Sequence, residues 1–295
     1  MRPVPLILAS IALLAVFWSW REPSLKDSLP LRGQLVAHAL GAIDGNVKSN
    51  SREAFLHAYA GGTLWMEVDL SLTKDGVVVC FHRSHLRDIG AKRPVERMTA
   101  AEFLQHRFKG RYTLLTLRDL LALMQTHPDV TLVTDTKGWS PKMVEAVTRT
   151  LAEHPDLARR VIPQLYRPED EAPVFASRTQ GWRFPLAILT LYLSRLSDEE
   201  VLAYAKERPL IPIIVMPTGR ARPEFVRALH EAGKLVMVHT VNDHGQMLAL
   251  ARGGIDGFYT DDYLPYWTEF PQYGYEQARA RLDRRPSPSR PARSP

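Results

Sequence analysis

The sequence predicts an α/β fold, namely a closed (β/α)8 barrel or TIM barrel, and three observations lead to this prediction. Short apolar segments rich in β-branched residues alternate with amphipathic segments, which is typical of parallel strands joined by helices. Eight such strands can be counted in the 295 residues, and a single barrel of roughly 250 residues fits this length. No glycine-rich nucleotide loop is present, which disfavours the alternative, an open doubly wound sheet.

Residues 1–22 are predicted to be a membrane anchor or a signal segment. Residues 3–20 contain no charged side chain, and this length is close to what a helix needs to cross the hydrocarbon core of a bilayer. The run ends in Phe17, Trp18 and Trp20, aromatic residues typical of a membrane interface. We therefore expect a single-pass protein anchored in the inner (cytoplasmic) membrane with its folded domain exported. Cleavage of a signal peptide, giving a secreted or periplasmic protein, is the alternative.

The remaining chain divides into a polar linker at 23–33, the barrel at 34–270 and a basic tail at 271–295 that is rich in proline, serine and arginine. From residue 279 onward there are six arginines and one aspartate, so the tail carries nearly all of the formal net charge of +6. The tail is predicted to be disordered, and the near-neutral body excludes a nucleic-acid groove. The single cysteine, Cys80, lies in an apolar strand and is expected to be a core residue.

The first half of the barrel has recognisable boundaries. Gly61 and Gly62 end a helix, and the Lys74-Asp75-Gly76 turn joins two apolar strands. Thr99, with Glu102 three residues later, marks the start of another helix. The predicted elements are, in order, a strand at 34–38, a helix at 51–60, strands at 64–72 and 77–82, a helix from 99, a helix at 117–124 and a strand at 131–135.

In the second half of the chain, predicted helices and strands alternate more regularly. It is predicted to contain helices at 142–153, 197–206, 222–232 and 244–252, and strands at 161–166, 185–192, 210–216, 234–240 and 256–260. The segment 77–82 is an additional hairpin strand. The eight barrel strands are expected to end at His38, Asp69, Asp135, Gln164, Thr190, Met216, His239 and Thr260.

Polar side chains with ligand or catalytic chemistry cluster at or just beyond these strand ends. In barrels of this kind the active site lies at the carboxyl ends of the strands, so residues far apart in sequence meet at one mouth. Glu67 and Asp69 are two apart on one strand and project to the same side, and burying both is costly unless a positive charge sits between them. The candidates at this mouth are His38, Glu67, Asp69, His82, Asp135, Lys137, Gln164 and His239.

These residue types point to chemistry at a phosphorus atom. Carboxylate oxygens such as those of Glu67, Asp69 and Asp135 suit Mg²⁺ or Ca²⁺ better than zinc. Two imidazoles, His38 and His82, can act as a general acid and base pair. A positive charge such as that of Lys137 would stabilise phosphoryl oxygens. Gln164 and His239 are further candidates for substrate or phosphate binding.

Several short motifs follow one another in a fixed order between residues 34 and 264. They are Val36-Ala37-His38, Asn50-Ser51-Arg52-Glu53-Ala54-Phe55, Glu67-Val68-Asp69, Thr73-Lys74-Asp75-Gly76, His82, Asp135-Thr136-Lys137, Val238-His239-Thr240-Val241-Asn242 and Gly254-Ile255-Asp256-Gly257-Phe258-Tyr259-Thr260-Asp261. This series resembles the glycerophosphodiester phosphodiesterase family, whose usual motifs are H-R-G, E-N-T-x-x-A-F, E-x-D, T-x-D-G, H-D, E-x-K, W-T-V-N and G-V-D-G-I-x-T-D.

The resemblance implies a metal-dependent phosphodiesterase of the superfamily that includes phosphatidylinositol-specific phospholipase C and sphingomyelinase D. It implies that His38 and His82 are the acid/base pair and that Lys137 lies near the phosphate. The metal ligands it implies are Glu67, Asp69 and Asp135. The implied substrate is a glycerophosphodiester or a phospholipid head group, in which a neighbouring hydroxyl can attack phosphorus to give a cyclic phosphate.

The sequence departs from the family pattern at five of these positions. Ala39 replaces the arginine after the first histidine, Ser49 replaces the acidic residue of E-N-T, and Arg83 replaces the aspartate after the second histidine. His239 stands in place of tryptophan, and Asp135 in place of glutamate is more typical of the sphingomyelinase D branch.

The departures leave two further functions open. One is a phospholipase D-like enzyme of the sphingomyelinase D type, and the other is a non-catalytic barrel that binds phosphate or lipid. The positive charge lost at Ala39 could be replaced by Lys48, Arg83 or Arg167.

Overall fold

The computed structural model describes residues 35–176 and 184–261. The predicted N-terminal segment 1–22, the linker 23–33 and the tail 271–295 lie outside the described residues. The described strands are β1 Leu35–Ala37, β2 Trp65–Leu72, β3 Val78–Cys80, β4 Arg107–Phe108, β5 Tyr112–Thr113, β6 Thr131–Asp135, β7 Val161–Leu165, β8 Ile188–Thr190, β9 Ile213–Pro217, β10 Leu235–His239 and β11 Gly257–Thr260.

Eight of these strands form a closed parallel barrel, as predicted. Their order around the barrel is β1, β2, β6, β7, β8, β9, β10 and β11, and β1 closes the ring by pairing with both β2 and β11. β3 pairs with β2 in the antiparallel direction, which confirms the predicted hairpin around Lys74-Asp75-Gly76. β4 and β5 form a separate two-stranded sheet. Because all eight barrel strands run in the same direction, their carboxyl ends meet at one mouth.

The helices that connect the barrel strands cover the outside of the barrel, the helix Ala100–Leu104 lies in an insertion after β3, and side-chain caps fix where several helices begin. Thr99, Thr116 and Ser197 each form a capping box with the carboxylate three residues later, as the Thr99 motif predicted. The helices are α1 Arg52–Ala60, α2 Ala100–Leu104, α3 Leu117–Thr126, α4 Pro141–Ala152, α5 Glu171–Ala176, α6 Asp198–Lys206, α7 Pro223–Glu231 and α8 His244–Arg252.

Several of the predicted strands are shorter than the sequence pattern indicates, and two of them lie near prolines. The strand predicted at 185–192 is Ile188–Thr190, and the one predicted at 210–216 is Ile213–Pro217. β9 begins directly after Pro212, which has no backbone N–H to donate to a neighbouring strand, and β8 begins three residues after Pro185. Tyr192 therefore lies in the loop beyond β8 rather than in the strand.

An insertion between β3 and α3 has a small core of its own. Its buried residues pack with Val79 of β3 in a hydrophobic cluster distinct from the main barrel core; they are Phe81, Ile89, Val95, Phe103, Phe108, Tyr112 and Leu114. His82 lies two residues after the end of β3, at the start of this insertion. Within the insertion, the His82 ring contacts Ser84 and His85.

The predicted localisation requires correction. In the ranges 35–176 and 184–261, no helix is long and apolar enough to cross a membrane. The single-pass anchor with an exported domain is therefore not supported, and segment 3–20, from which it was predicted, lies outside the described residues.

Asp170 connects the loops that follow β6 and β7. Its carboxylate is buried and accepts hydrogen bonds from the backbone N–H groups of Trp139 at 3.2 Å, Tyr166 at 2.9 Å and Arg167 at 3.1 Å. Without this carboxylate, these backbone N–H groups would lose their acceptor, and buried polar groups are rarely left unpaired. The three hydrogen bonds therefore hold both loops in one conformation.

We expect Asp170→Ala to lower the free energy of unfolding by about 2–3 kcal/mol, because it leaves buried N–H groups without an acceptor. Urea unfolding followed by circular dichroism measures this change. The control is Glu169→Ala at the exposed neighbouring position, which should change stability by less than about 0.5 kcal/mol. Equal stability of the two variants would contradict the role given to Asp170.

Candidate active site

Glu67, Asp69 and Asp135 form a compact carboxylate cluster at the mouth of the barrel. Asp69 of β2 is the register partner of Asp135 of β6, and Glu67 precedes Asp69 on the same face. One ligand oxygen from each residue lies within 4.8 Å of the others, and all three residues are buried. The sequence prediction that these side chains converge therefore agrees with the geometry.

Each carboxylate is held in place by hydrogen bonds, through one oxygen in Glu67 and Asp69 and through both oxygens in Asp135. The backbone N–H of Ala39 donates to Glu67 Oε2 at 2.7 Å. Asn50 donates from Nδ2 to Asp69 Oδ2 at 3.0 Å and accepts from the Asp69 backbone N–H at 3.0 Å. The Tyr166 hydroxyl donates to Asp135 Oδ2 at 2.7 Å. These contacts orient the carboxylates before any ligand is bound.

The other oxygens of two carboxylates accept no hydrogen bond. Glu67 Oε1 and Asp69 Oδ1 are buried without a hydrogen-bond partner among the described residues, although Lys137 Nζ lies 3.4 Å from Asp69 Oδ1. Burial and the nearby charge of Asp69 raise the pKa of Glu67 to about 8. Buried, unpaired carboxylate oxygens that face one another need a cation, so these residues fit a divalent metal ion with oxygen ligands.

Lys137 lies against the cluster rather than free in the cavity. Its Nζ is 2.5 Å from Asp135 Oδ2 and donates to the Tyr166 hydroxyl at 3.1 Å. Burial alone would lower the pKa of Lys137, but the charges of Asp135, Asp69 and Glu67 outweigh this effect and raise it. Lys137 is therefore a protonated ammonium that already neutralises part of the carboxylate charge.

His38 stands directly after β1 and is oriented by a residue from the far end of the chain. Its Nδ1 lies 2.8 Å from Asp261 Oδ1, and Asn242 Nδ2 donates to the other oxygen of Asp261 at 3.0 Å. The remaining ring nitrogen, Nε2, is 4.0 Å from Glu67 Oε2. Burial lowers the pKa of His38, but the hydrogen bond with Asp261 and the charge of Glu67 raise it more, so that the net shift is upward.

His82 faces the cluster from the other side. The backbone N–H of Ser84 donates to His82 Nδ1 at 3.2 Å, which assigns the proton of the neutral ring to Nε2. This Nε2 lies 4.0 Å from Asp69 Oδ1. Burial lowers the pKa of His82. The two histidines thus present their Nε2 atoms to the same carboxylate cluster.

Gln164 and His239 occupy the wall of the site. The side-chain amide of Gln164 donates to Asp135 Oδ2 at 3.3 Å and accepts from the Tyr259 hydroxyl at 3.1 Å. Both ends of this amide are therefore engaged in positioning neighbours. The His239 ring lies 4.8 Å from that of Tyr192 and 5.9 Å from that of Tyr259, centroid to centroid. Burial and the charges of His38 and Lys137 lower the pKa of His239 to about 4, so this ring is neutral near pH 7.

A cavity of about 310 Å³ opens in front of these groups. It is lined by His38, Lys48, Glu67, His82, Asp135, Lys137, Gln164, Tyr166, Tyr192, His239, Thr240 and Tyr259. Seven of the eight predicted residues line it, and the eighth, Asp69, lies in the adjoining carboxylate cluster.

Sequence reasoning gave no role to several groups that shape this site. Asp261, Asn50 and Tyr259 appear in the sequence only as members of motifs, and Tyr192 only as part of a predicted strand. A polar residue placed directly after the last strand, as Asp261 is, was the available signal. Trp139 does not line the cavity; it packs against Phe184 and donates from Nε1 to the Gln164 carbonyl.

A parallel barrel that gathers three carboxylates, a lysine and two histidines at its carboxyl mouth has the form of a hydrolase acting on phosphate esters. The model of the glycerophosphoryl diester phosphodiesterase family matches residues 42–264. The chain therefore belongs to this family of phosphoric diester hydrolases, as the motif order predicted.

Individual relatives agree with the family match. A glycerophosphodiester phosphodiesterase from Bacillus altitudinis is 26% identical over 228 residues, which cover 74% of this chain and 90% of the relative.

Solved structures share the fold. One is a phosphodiesterase from Oleispira antarctica, solved with the product sn-glycerol-3-phosphate. It is 19% identical to this chain with a TM-score of 0.67, and the match covers 87% of this chain and 99% of the Oleispira chain. Another is a glycerophosphodiester phosphodiesterase from Parabacteroides distasonis, which is 18% identical with a TM-score of 0.63. This match covers 85% of this chain and 98% of the Parabacteroides chain.

The contact between Asp261 and His38 predicts a measurable pKa effect. In Asp261→Asn the negative charge next to Nδ1 is lost, so the pKa of His38 should fall. NMR titration of the His38 ring in metal-free protein measures it. Asp243→Asn is the control, because Asn can still cap α8 and Asp243 does not contact His38. An unchanged His38 pKa in Asp261→Asn would contradict the assigned pairing.

Proposed function

We propose that this protein is a metal-dependent phosphodiesterase that hydrolyses glycerophosphodiesters or phospholipid head groups. The observation that carries the proposal is the arrangement of two buried, unpaired carboxylate oxygens between two imidazoles whose Nε2 atoms each lie 4.0 Å from the carboxylate cluster. The family match and the fold shared with a phosphodiesterase bound to sn-glycerol-3-phosphate support the choice of substrate.

A divalent ion, Mg²⁺ or Ca²⁺, would be held by Glu67, Asp69 and Asp135. When bound, such an ion polarises a phosphoryl oxygen and offsets the negative charge that develops there. The carboxylates also need it electrostatically, because one lysine among three buried carboxylates leaves the cluster with excess negative charge. Asn50 and Ala39 would keep the ligand oxygens in position.

His38 and His82 would move the protons of the reaction. One Nε2 takes the proton of the attacking hydroxyl, either water or a neighbouring hydroxyl of the substrate, as its oxygen bonds to phosphorus. The other Nε2 gives a proton to the leaving alcohol oxygen as the bond between that oxygen and phosphorus breaks. Asp261 fixes the ring of His38 through Nδ1 and leaves Nε2 facing the cavity.

The wild-type protein should release sn-glycerol 3-phosphate from glycerophosphocholine, or the corresponding phosphate from lysophosphatidylcholine, with added Mg²⁺ or Ca²⁺. Mass spectrometry of the products identifies the bond that is cut. His38→Ala and His82→Ala should each lower kcat by about 10²- to 10⁴-fold, with circular dichroism unchanged. His106→Ala, in the insertion, is the control and should keep full activity. Full activity in either of the first two variants would rule out the proposed proton-transfer roles.

Metal binding can be tested without turnover. Titration with Mg²⁺ or Ca²⁺ should raise the Tm of the wild-type protein, because a ligand that binds only the folded state adds about 2.7 kcal/mol of stability at 100 times its Kd. In Glu67→Gln the metal-dependent rise should shrink strongly, whereas the metal-free variant should be about as stable as wild type, because burial and the charge of Asp69 already favour the uncharged form of Glu67. An equal metal-dependent rise in both proteins would contradict Glu67 as a ligand.

A further inference from the structure

The positive charges around the cavity differ in whether they are available to a ligand. Lys137 is engaged by Asp135, by Asp69 and by the Tyr166 hydroxyl. Lys48 lines the same cavity, and its side chain forms no hydrogen bond or ion pair with any residue in the described part of the chain. Lys48 is thus the available ammonium group at this mouth.

Two other cations that were candidates to replace the lost charge, Arg83 and Arg167, do not line the cavity. Arg83 is 62% exposed and its guanidinium pairs with Glu96 at 3.6 Å. Arg167 is 66% exposed and lies 3.9 Å from Asp170. Neither of them lines the cavity. Of the three side chains that could supply the positive charge missing at position 39, only Lys48 lines the cavity.

Lys48 is held in its position by the loop after β1. This loop is closed by the Ile43–Asn46 bridge and by the hydrogen bond from the Asn50 backbone N–H to the Ala39 carbonyl at 3.2 Å. Lys48 itself has φ +61°, the left-handed region that a lysine rarely adopts and that glycine would occupy without strain. Backbone strain at the rim of a site is consistent with a side chain whose position matters for binding.

The formal charges of the site leave one positive charge for the substrate. A divalent ion together with Lys137 would offset the three carboxylates, and Asp261 offsets His38 when that ring is protonated. A phosphodiester carries one negative charge, and Lys48 is the cation that remains to balance it. Lys48 lines the same cavity as His38 and His239.

We propose that Lys48 binds a non-bridging phosphoryl oxygen of the substrate and so replaces the cationic side chain that Ala39 cannot provide. This inference rests on the proposed function, since it identifies a substrate-binding residue for the same reaction. Its ammonium would donate a charge-assisted hydrogen bond to the phosphate, while the nearby histidines carry out the proton transfers.

The test uses the full-length protein and the variant Lys48→Gly, which removes the ammonium and relaxes the strained backbone. Its Tm should therefore equal or exceed that of wild type. Its kcat/KM for glycerophosphocholine should fall about 10- to 100-fold, mostly through KM, because a hydrogen bond to a charged group is lost. Lys48→Arg should stay within a few fold of wild type, which a merely structural role would not predict.

Lys109→Gly is the matched control. Lys109 is also a lysine with a left-handed backbone, φ +51°, but it lies in the insertion, where it pairs with Asp88. Lys109→Gly should leave kcat/KM for glycerophosphocholine unchanged. Unchanged KM in Lys48→Gly, or an equal loss in Lys109→Gly, would overturn the proposal.

Calorimetric titration with inorganic phosphate in the presence of Mg²⁺ separates this inference from the proposed function. Wild type should bind phosphate about 10- to 100-fold more tightly than Lys48→Gly, whether or not it hydrolyses a particular diester. Equal phosphate affinity in both proteins, with hydrolysis intact, would overturn the role of Lys48 alone. Absence of both hydrolysis and phosphate binding in wild type would overturn both.

Discussion

The site depends on one electrostatic constraint, the burial of three carboxylates within 4.8 Å of one another. Like charges in a buried environment repel strongly and lose their hydration, so an arrangement of this kind is stable only with compensating cations or with a proton on one member. The raised pKa of Glu67, about 8, expresses this cost. Lys137 supplies part of the compensation, and the two unpaired oxygens indicate where a further cation would bind. The cluster is therefore better understood as a binding site than as a stabilising feature of the barrel.

The barrel supplies the geometry that makes this arrangement possible. Parallel pairing of β2 with β6 aligns Asp69 with Asp135, and the alternation along β2 brings Glu67 to the same face. The supporting hydrogen bonds come from loops after other strands, with Asn50 from the loop after β1 and Tyr166 from the loop after β7. Catalytic side chains placed at strand ends are positioned more rigidly than those on long loops, and the hydrogen-bonded outer residues restrict the carboxylates further. Changes at the outer residues would therefore affect the site without touching a ligand.

The contacts in the site explain some of the departures from the family pattern. Ala39 lacks the cationic side chain of the family arginine, but its backbone N–H donates to Glu67 Oε2 at 2.7 Å and so holds this carboxylate in place. Arg83 lies outward and pairs with Glu96 instead of entering the cavity. His239 is neutral and packs between Tyr192 and Tyr259, as an aromatic wall residue would. Nothing in the structure explains Ser49 beyond its hydrogen bond with Ser51 beside the start of α1.

The sequence by itself determined the alternation of strands and helices, the capping of α2 and the side chains that lie at strand ends. These features depend on residue periods and on neighbours a few positions apart, so local physical chemistry is sufficient. Only the tertiary structure decided that Asp261 pairs with His38 across 223 positions of sequence, that the Gln164 amide is occupied by Asp135 and Tyr259, and that Lys48 rather than Arg83 or Arg167 faces the cavity. Such choices follow from barrel closure and strand register, and from the competition of several donors for the same carboxylate. A linear sequence does not show which of those competitors is nearest, because their distances are set only when the ring of strands is complete.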